Sequence, residues 1–359
     1  ALGDCVARAA AARWQTEHIT LAAFTQANEA ALHEIETRTA RADLLIAVGS
    51  GSINDLVKYA AYKAGKSYVL CPTAASMNGY VSANASIHLG GHKQSLAAAL
   101  PLAVIADLDV LCHAPLRLTQ AGLGDALARP TAQADWLLSH FLLGADYDPM
   151  IYTIMAGYET QLFEQPRALA ARDTETVTAL FHLCLLSGFG MTLARSSQPA
   201  SGGEHMVAHA YGMAFPSHTT PSPLHGEEIA VTVVRAAHAY NRLLAKSKAK
   251  LHGTEGIETA LATIFSRDDA TYFTPLYDVK RAKLTERFPT GEIPVAQWEQ
   301  AQSAINQIML PAERLAQIAQ DAGLARTCEQ IGWDEPKLAA VEHISRFTRD
   351  RLSWLDFEI

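Results

Sequence analysis

Positive charge is in short supply. The chain carries 29 Lys and Arg against 37 Asp and Glu, a formal net charge of −8. That argues against a nucleic-acid partner, which calls for a basic face. The five cysteines, Cys5, Cys71, Cys112, Cys184 and Cys328, are scattered and form no CxxC pair. A disulfide framework is not expected, and a reducing cytoplasm fits better. No uninterrupted apolar run reaches the roughly 18 to 20 residues that span a bilayer, so membrane insertion is not expected. The start, Ala1-Leu2-Gly3-Asp4, has no basic-then-apolar signal pattern and no initiator Met. It reads as a processed, trimmed or partly covered chain. Walker A, GxSxG and HExxH patterns are all missing.

What is present describes an ordinary globular protein. Of 359 residues, 49% are hydrophobic and 18% charged, enough for a large core and, by length, two domains. Residues 1–40 read as helix. Asp43 to Val48 is a short apolar run closed by Gly49, the mark of a buried parallel strand. A helix over Ile53 to Ala64 and a strand over Ser67 to Cys71 complete a βαβ unit. Ser86 to Ser95 reads as a hairpin turning at Gly90-Gly91, and Leu102 to Leu108 as one more strand. After about Pro115 the pattern is helical: 131–145, 149–165, 173–195, 226–247, 256–266, 295–324 and 336–350. The polar stretch 267–294 reads as a long connection. We therefore expect an α/β domain over 1–114 and an all-helical domain over 115–359.

Two loops open at one sheet edge. In Val48-Gly49-Ser50-Gly51-Ser52-Ile53-Asn54-Asp55, the glycines let backbone approach a ligand, and the helix beginning at Ser52 offers free N–H groups to a pyrophosphate. A tight turn needing glycine for geometry alone is the competing reading, and the full GxGxxG fingerprint is not there. The second loop, Pro72 to Ser82, offers Thr73, Ser76, Asn78 and Ser82 where open α/β sheets bind ligands; simple turn capping is its alternative. Asp125, in Gly122-Leu123-Gly124-Asp125-Ala126, reads by itself as a helix N-cap, with Pro130 imposing a kink or a short first turn. His205 and His209 are i and i+4 on one helix face, and His225 opens the next helix. Such a pair with a carboxylate or third histidine can bind a divalent ion. Fourteen histidines also make such a pair common by chance. The cysteines read as small buried apolar residues.

The order of these motifs carries more than any one of them. Gly-Ser-Gly-Ser-Ile-Asn-Asp, Pro-Thr-Ala-Ala-Ser-Met-Asn-Gly, Ala-Gly-Leu-Gly-Asp-Ala-Leu-Ala, Ser-Gly-Gly-Glu-His and Leu-His-Gly-Glu-Glu follow one another across the chain. The set resembles the sn-glycerol-1-phosphate dehydrogenase branch of the iron-containing alcohol dehydrogenase / dehydroquinate synthase-like superfamily. The closing Arg346 to Asp356 segment resembles that branch too. The match runs in outline over residues 40 to 356 and is loose across 250–330.

The resemblance implies a nucleotide domain, a helical domain and a metal in the cleft between them. NAD or NADP would be held by Gly49, Gly51, Ser52, Ile53, Asn54, Asp55, Thr73, Ser76 and Ser82. Asp125, His205 and His225 would ligate one divalent metal: zinc, with nickel or iron as alternatives. His209 and Asn78 would face the substrate. The implied reaction interconverts dihydroxyacetone phosphate and sn-glycerol 1-phosphate, a step of phospholipid metabolism. A glycerol or other polyol dehydrogenase, a cyclase and a non-catalytic nucleotide-binding protein are the alternatives, and a homo-oligomer is expected. Three departures from the family pattern stand out. Asn78 replaces an Asp, Arg129-Pro130 replaces Lys-Tyr, and the 20 positions between His205 and His225, with His218 among them, are a longer spacing. Lys93 and Arg129 are the candidates for receiving a phosphate. The family's first strand has no counterpart before residue 1, which suggests that a segment covering the cofactor precedes it.

Overall fold

A computed structural model describes residues 2–22, 25–90, 92–217, 222–253 and 256–359. His218 and Gly91, both noted above, lie outside the described residues. The first third contains α1 (Leu2–Ala11), α2 (Glu29–Arg38), β1 (Leu44–Gly49), α3 (Gly51–Lys63), β2 (Ser67–Pro72), β3 (Asn84–Leu89), β4 (His92–Ala97), β5 (Ala103–Val104) and α4 (Leu108–Cys112). β1, β2 and β5 form a parallel sheet in the order β1-β2-β5, with Ala47 opposite Leu70 and Leu70 opposite Val104. β3 and β4 form an antiparallel hairpin beside it. Glycine at the end of β1 and proline at the end of β2 stop both strands at the same edge, so their loops open together.

Every named element after β5 is helical. They are α5 (Leu116–Ala126), α6 (Arg129–Leu143), α7 (Met150–Thr153), α8 (Ala156–Glu164), α9 (Pro166–Ala170), α10 (Thr174–Leu193), α11 (Gly203–Ala214) and α12 (His225–Leu244). The last five are α13 (Ile257–Ala262), α14 (Arg267–Arg287), α15 (Val295–Asn306), α16 (Ala312–Asp321) and α17 (Glu335–Ser345), with two short 3-10 turns between helices and a third after α17. One apolar core runs from Leu45, Leu56 and Tyr68 of the sheet layer through Leu123, Leu180 and Leu315 of the helices. A second, wholly helical core gathers Tyr240, Trp298, Phe347 and Phe357. α10 is long and apolar enough to cross a membrane, but 61% of its most apolar window is buried against its neighbours. That is how a core helix of a globular protein looks.

Several expectations need correction. Residues 1–40 hold two helices, with no helix among the described residues between Trp14 and Ala27. The strand expected over 102–108 pairs only at Ala103 and Val104, because Asp107 then caps α4, accepting from the N–H groups of Asp109 and Val110. The helix expected over 295–324 breaks at Leu310-Pro311 between α15 and α16. The helix expected over 336–350 ends at Ser345. The supposed connection over 267–294 contains α14, which buries Phe273, Tyr277, Lys280 and Leu284, one per turn.

Candidate metal and nucleotide site

Asp125 is not an N-cap. It lies in the last turn of α5, and α6 starts afresh at Arg129 with Pro130 in its first turn, where a missing N–H costs nothing. Glycine explains where Asp125 ends up. A Cβ on Gly122 would stand 1.9 Å from the carbonyl oxygen of Ala75, and one on Gly124 would stand 2.0 Å from that of Gly226. α5 therefore lies against the 73–82 loop on one side and against the start of α12 on the other. Arg117 of α5 fastens the second contact, donating to both carboxylate oxygens of Glu227 at 2.6 and 2.7 Å.

Asp125 is thereby placed among three elements. Its Oδ2 accepts from the backbone N–H of Asn78 at 2.7 Å. Its Oδ1 lies 3.2 Å from Nε2 of His205 on α11 and 3.9 Å from Nε2 of His225 on α12. One donor atom from each of Asp125, His205 and His225 lies within 4.8 Å of the other two. Two imidazoles and one carboxylate leave a coordination position open, as a catalytic divalent-metal site requires. Nδ1 of His205 is engaged by Glu204 at 2.8 Å, which fixes the tautomer and turns Nε2 toward Asp125. Glu204 is itself held by the N–H of Gly202 and the hydroxyl of Thr131.

The charges support the same arrangement. Burial alone would depress His205, but Asp125 and Glu204 outweigh it and push the pKa up to about 9. Burial raises Asp125, yet His205, His225 and the Asn78 N–H more than offset it and hold the carboxyl below its ordinary range. His209 and His225 are driven well below the ordinary histidine value, by burial first and then by the cation of Lys93. His209 stacks on His225 with ring centroids 5.2 Å apart. Its Nε2, the Nδ1 of His225 and both side-chain polar atoms of Asn78 are buried without hydrogen-bond partners. Asn78 is only 4% exposed. Four orphaned polar atoms at one place call for a ligand.

These groups line a cleft of about 2440 Å³ between the sheet edge and α5, α11 and α12. That is well beyond the roughly 300–1,000 Å³ of a small-molecule pocket and has room for a dinucleotide and a substrate. Gly49, Gly51, Ser52, Ile53, Asp55, Thr73, Ser76, Asn78, Ser82, Asp125, His205, His209 and His225 all line it. α3 begins at Gly51 and not at Ser52, and its N-cap Ser50 makes no side-chain cap, so its first-turn N–H groups remain available to a pyrophosphate.

Asn54 is the exception. It is fully buried outside the cleft, its amide donating to Tyr80 O and its oxygen accepting from Tyr68. Asp55 touches the cleft, but its carboxylate is taken by Lys58 at 3.1 Å and by the Ser86 N–H. Lys58 in turn donates to Gly79 O and Ser82 Oγ, so this buried pair shapes the second loop. Arg129 does not reach the cleft either: it is paired with Glu159 and lies over the Tyr152 ring. Lys93 does line the cleft, as do Glu228 and Arg349, which sequence reasoning missed. Glu228 follows His225 in the Leu-His-Gly-Glu-Glu motif, so its spacing could have flagged it. Arg349 could not be singled out among the three arginines of the closing segment.

Comparison with known proteins finds likenesses of sequence and of fold. Residues 2–115 match the family model described as iron-containing alcohol dehydrogenase. A glycerol-1-phosphate dehydrogenase [NAD(P)+] of Bacillus licheniformis is 34% identical over 218 residues, 61% of this chain and 54% of that protein. The enzyme of the same name from Pyrococcus furiosus is 35% identical over 217 residues, 59% of this chain and 62% of that one. The chain thus spans little more than half the length of the curated relatives it matches. In fold, it resembles a mutant of an archaeal halo-thermophilic Red Sea brine pool alcohol dehydrogenase, with TM-score 0.56, 15% identity, and 99% and 85% of the two chains covered. It also resembles a probable glycerol dehydrogenase from Sinorhizobium meliloti, with TM-score 0.52, 17% identity, and 96% and 89% covered. Residues 2–115 thus resemble the iron-containing alcohol dehydrogenases, the curated relatives matched are glycerol-1-phosphate dehydrogenases, and the solved structures share the fold.

Proposed function

We propose that the protein is a metal-dependent, NAD(P)-linked dehydrogenase that interconverts dihydroxyacetone phosphate and sn-glycerol 1-phosphate. The observation that carries this reading is the convergence of Asp125, His205 and His225 donor atoms within 4.8 Å, in the cleft that also holds the Gly49–Gly51 turn. These three residues would hold one divalent ion, zinc foremost, and the turn with Thr73, Ser76 and Ser82 would hold the nucleotide. When bound, the ion supplies Lewis acidity toward the substrate oxygen and the nicotinamide exchanges a hydride with the adjacent carbon. Asn78 uses its unpartnered amide to orient a substrate hydroxyl. Neutral His209, with a free Nε2, accepts a hydrogen bond or a proton from the substrate when the alcohol is oxidised and returns it on reduction. Glu204 keeps His205 in one orientation.

A polyol dehydrogenase acting on unphosphorylated substrate is the second reading. It is favoured by Asn78, whose neutral amide suits a plain hydroxyl as well as a phosphorylated one. A cytoplasmic setting is part of the proposal, supported by five unpaired cysteines. The test is NAD(P)H oxidation by the metal-loaded protein with dihydroxyacetone phosphate beside dihydroxyacetone. Preference for the phosphorylated ketone is expected; a clear preference for the plain ketone would move the assignment to a polyol.

A further inference from the structure

We propose that Lys93 and Arg349 form a dianion receptor in the cleft beside His209 and His225, and that it holds the phosphate of the substrate. The inference rests on the dehydrogenase reading for the substrate's identity, but on this chain's own geometry for the receptor. Lys93 comes from β4 of the hairpin, and β4 packs against α11, which carries His205 and His209. Arg349 comes from the segment after α17. Two parts of the chain far apart in sequence thus bring one cation each to the same cleft.

Neither cation is balanced. Among the described residues, neither side chain makes a hydrogen bond or an ion pair, although both are half-buried. The other cationic side chains drawn into the protein near the cleft do have partners: Lys58 has Asp55, Arg117 has Glu227, and Arg351 donates to Ser201 O and Ser197 Oγ. Burial pulls both Lys93 and Arg349 below their ordinary ranges. Both cations also lower the pKa of His209, which lines the same cleft. Glu228, Asp55 and Asp125 are the carboxylates that Lys93 feels, and none of the three closes a salt bridge with it. Leaving two such charges unmatched is costly, and a bound dianion offsets that cost.

The pair also suits phosphate chemically. A guanidinium fork grips two oxygens at once, and an ammonium adds a compact charge on a third. The coenzyme's pyrophosphate has a separate place at the α3 N-terminus, which leaves this pair for the substrate.

Calorimetric titration of the metal-loaded full chain with inorganic phosphate tests the receptor directly. Lys93→Met and Arg349→Met should each weaken phosphate binding by roughly ten- to a hundredfold, the scale of one charge-assisted hydrogen bond. The kcat/KM ratio of dihydroxyacetone phosphate over dihydroxyacetone should fall by a similar factor. Lys93→Arg and Arg349→Lys should restore part of both, which separates lost charge from lost fold. Wild type that fails to bind phosphate, or variants that bind it as wild type does, would overturn the receptor. So would variants that weaken NADH binding and keep the substrate ratio, since the pair would then serve the coenzyme. Wild type that binds phosphate through this pair yet reduces neither ketone would uphold the receptor and sink the dehydrogenase reading.

Discussion

The backbone N–H of Asn78 donates to Oδ2 of Asp125 at 2.7 Å, so the loop that would position a substrate is fastened to a residue that would hold the metal. Asp125→Ala cuts both functions at once. The purified variant should retain less than about a tenth of the wild type's divalent ion per chain, because a three-ligand site does not survive as two. His225→Ala should do the same while leaving the Asn78–Asp125 bond intact. Atomic emission analysis after gentle purification and metal add-back reads both, and full metal content in either variant would show that the triad is not a metal site. In the wild type, chelation should lower the melting temperature, since a ligand bound only by the folded state stabilises it.

Glu204 acts on the site through His205. Replacing it with Gln keeps an acceptor for Nδ1 of His205 but removes the charge that holds the imidazole in place. Metal affinity should drop toward the low end of the range for such supporting partners, about tenfold. Competition with a chromophoric chelator measures it, and an unchanged affinity would reduce Glu204 to a helix-terminus residue.

Asn78→Ala separates stability from activity. Both polar atoms of the Asn78 side chain are buried and unpartnered, so their removal should stabilise the protein by about 1 kcal/mol, near the lower cost of an unsatisfied buried polar group. The same change should lower kcat/KM by roughly tenfold through loss of one substrate hydrogen bond. A melting temperature that falls would mean that the amide has a structural partner instead.

The close approach of α5 and α12 predicts the effect of Gly226→Ala. A Cβ there would stand 1.7 Å from the carbonyl oxygen of Ala121, so backbone must move. A loss of about 1–3 kcal/mol is expected, as for other overpacked positions. His225 is the preceding residue, so metal affinity should fall with stability. Denaturant unfolding beside metal titration checks the pair of effects; stability unchanged from wild type would show that the helices have slack between them.

Much of this was legible in the sequence, and the failures share a cause. Gly49 and Pro72 punctuate the chain strongly, so the two loops and the βαβ unit could be read from local residues. The histidine spacing likewise put His205 and His209 on one face. Read from its local residues alone, Asp125 looked like an N-cap, because its place depends on Gly122, Gly124 and Gly226, whose meaning is a helix contact between segments distant in sequence. α14 was missed because one residue of its buried stripe is Lys280, and a charge in a core position hides the helical period. Lys280 is tolerated there because Asp356, remote in the chain, meets it at 2.8 Å. Asn54 and Arg129 were offered to ligands because their partners Tyr68, Tyr80 and Glu159 come from other elements.

Asp135 lies behind the first turn of α11 and gives the protein a pH dependence of its own. It is buried, accepts from Tyr240 at 2.5 Å, Gly203 N at 2.6 Å and Trp354 N at 2.8 Å, and shares its surroundings with the Glu204 carboxylate. Burial first, then Glu204, pushes its pKa up to about 8 from 3.8. The folded state therefore binds this proton more tightly than the unfolded chain. The stability it contributes is fully present below pH ~4 and is lost as pH rises toward 8. Between pH 5 and 8 the unfolding midpoint in urea should fall for the wild type through this group. Asp135→Asn cannot titrate, so its midpoint should change less over the same interval, whatever its absolute stability. Parallel pH profiles for the two proteins would show that Asp135 is ionised throughout, its three donors outweighing both burial and Glu204.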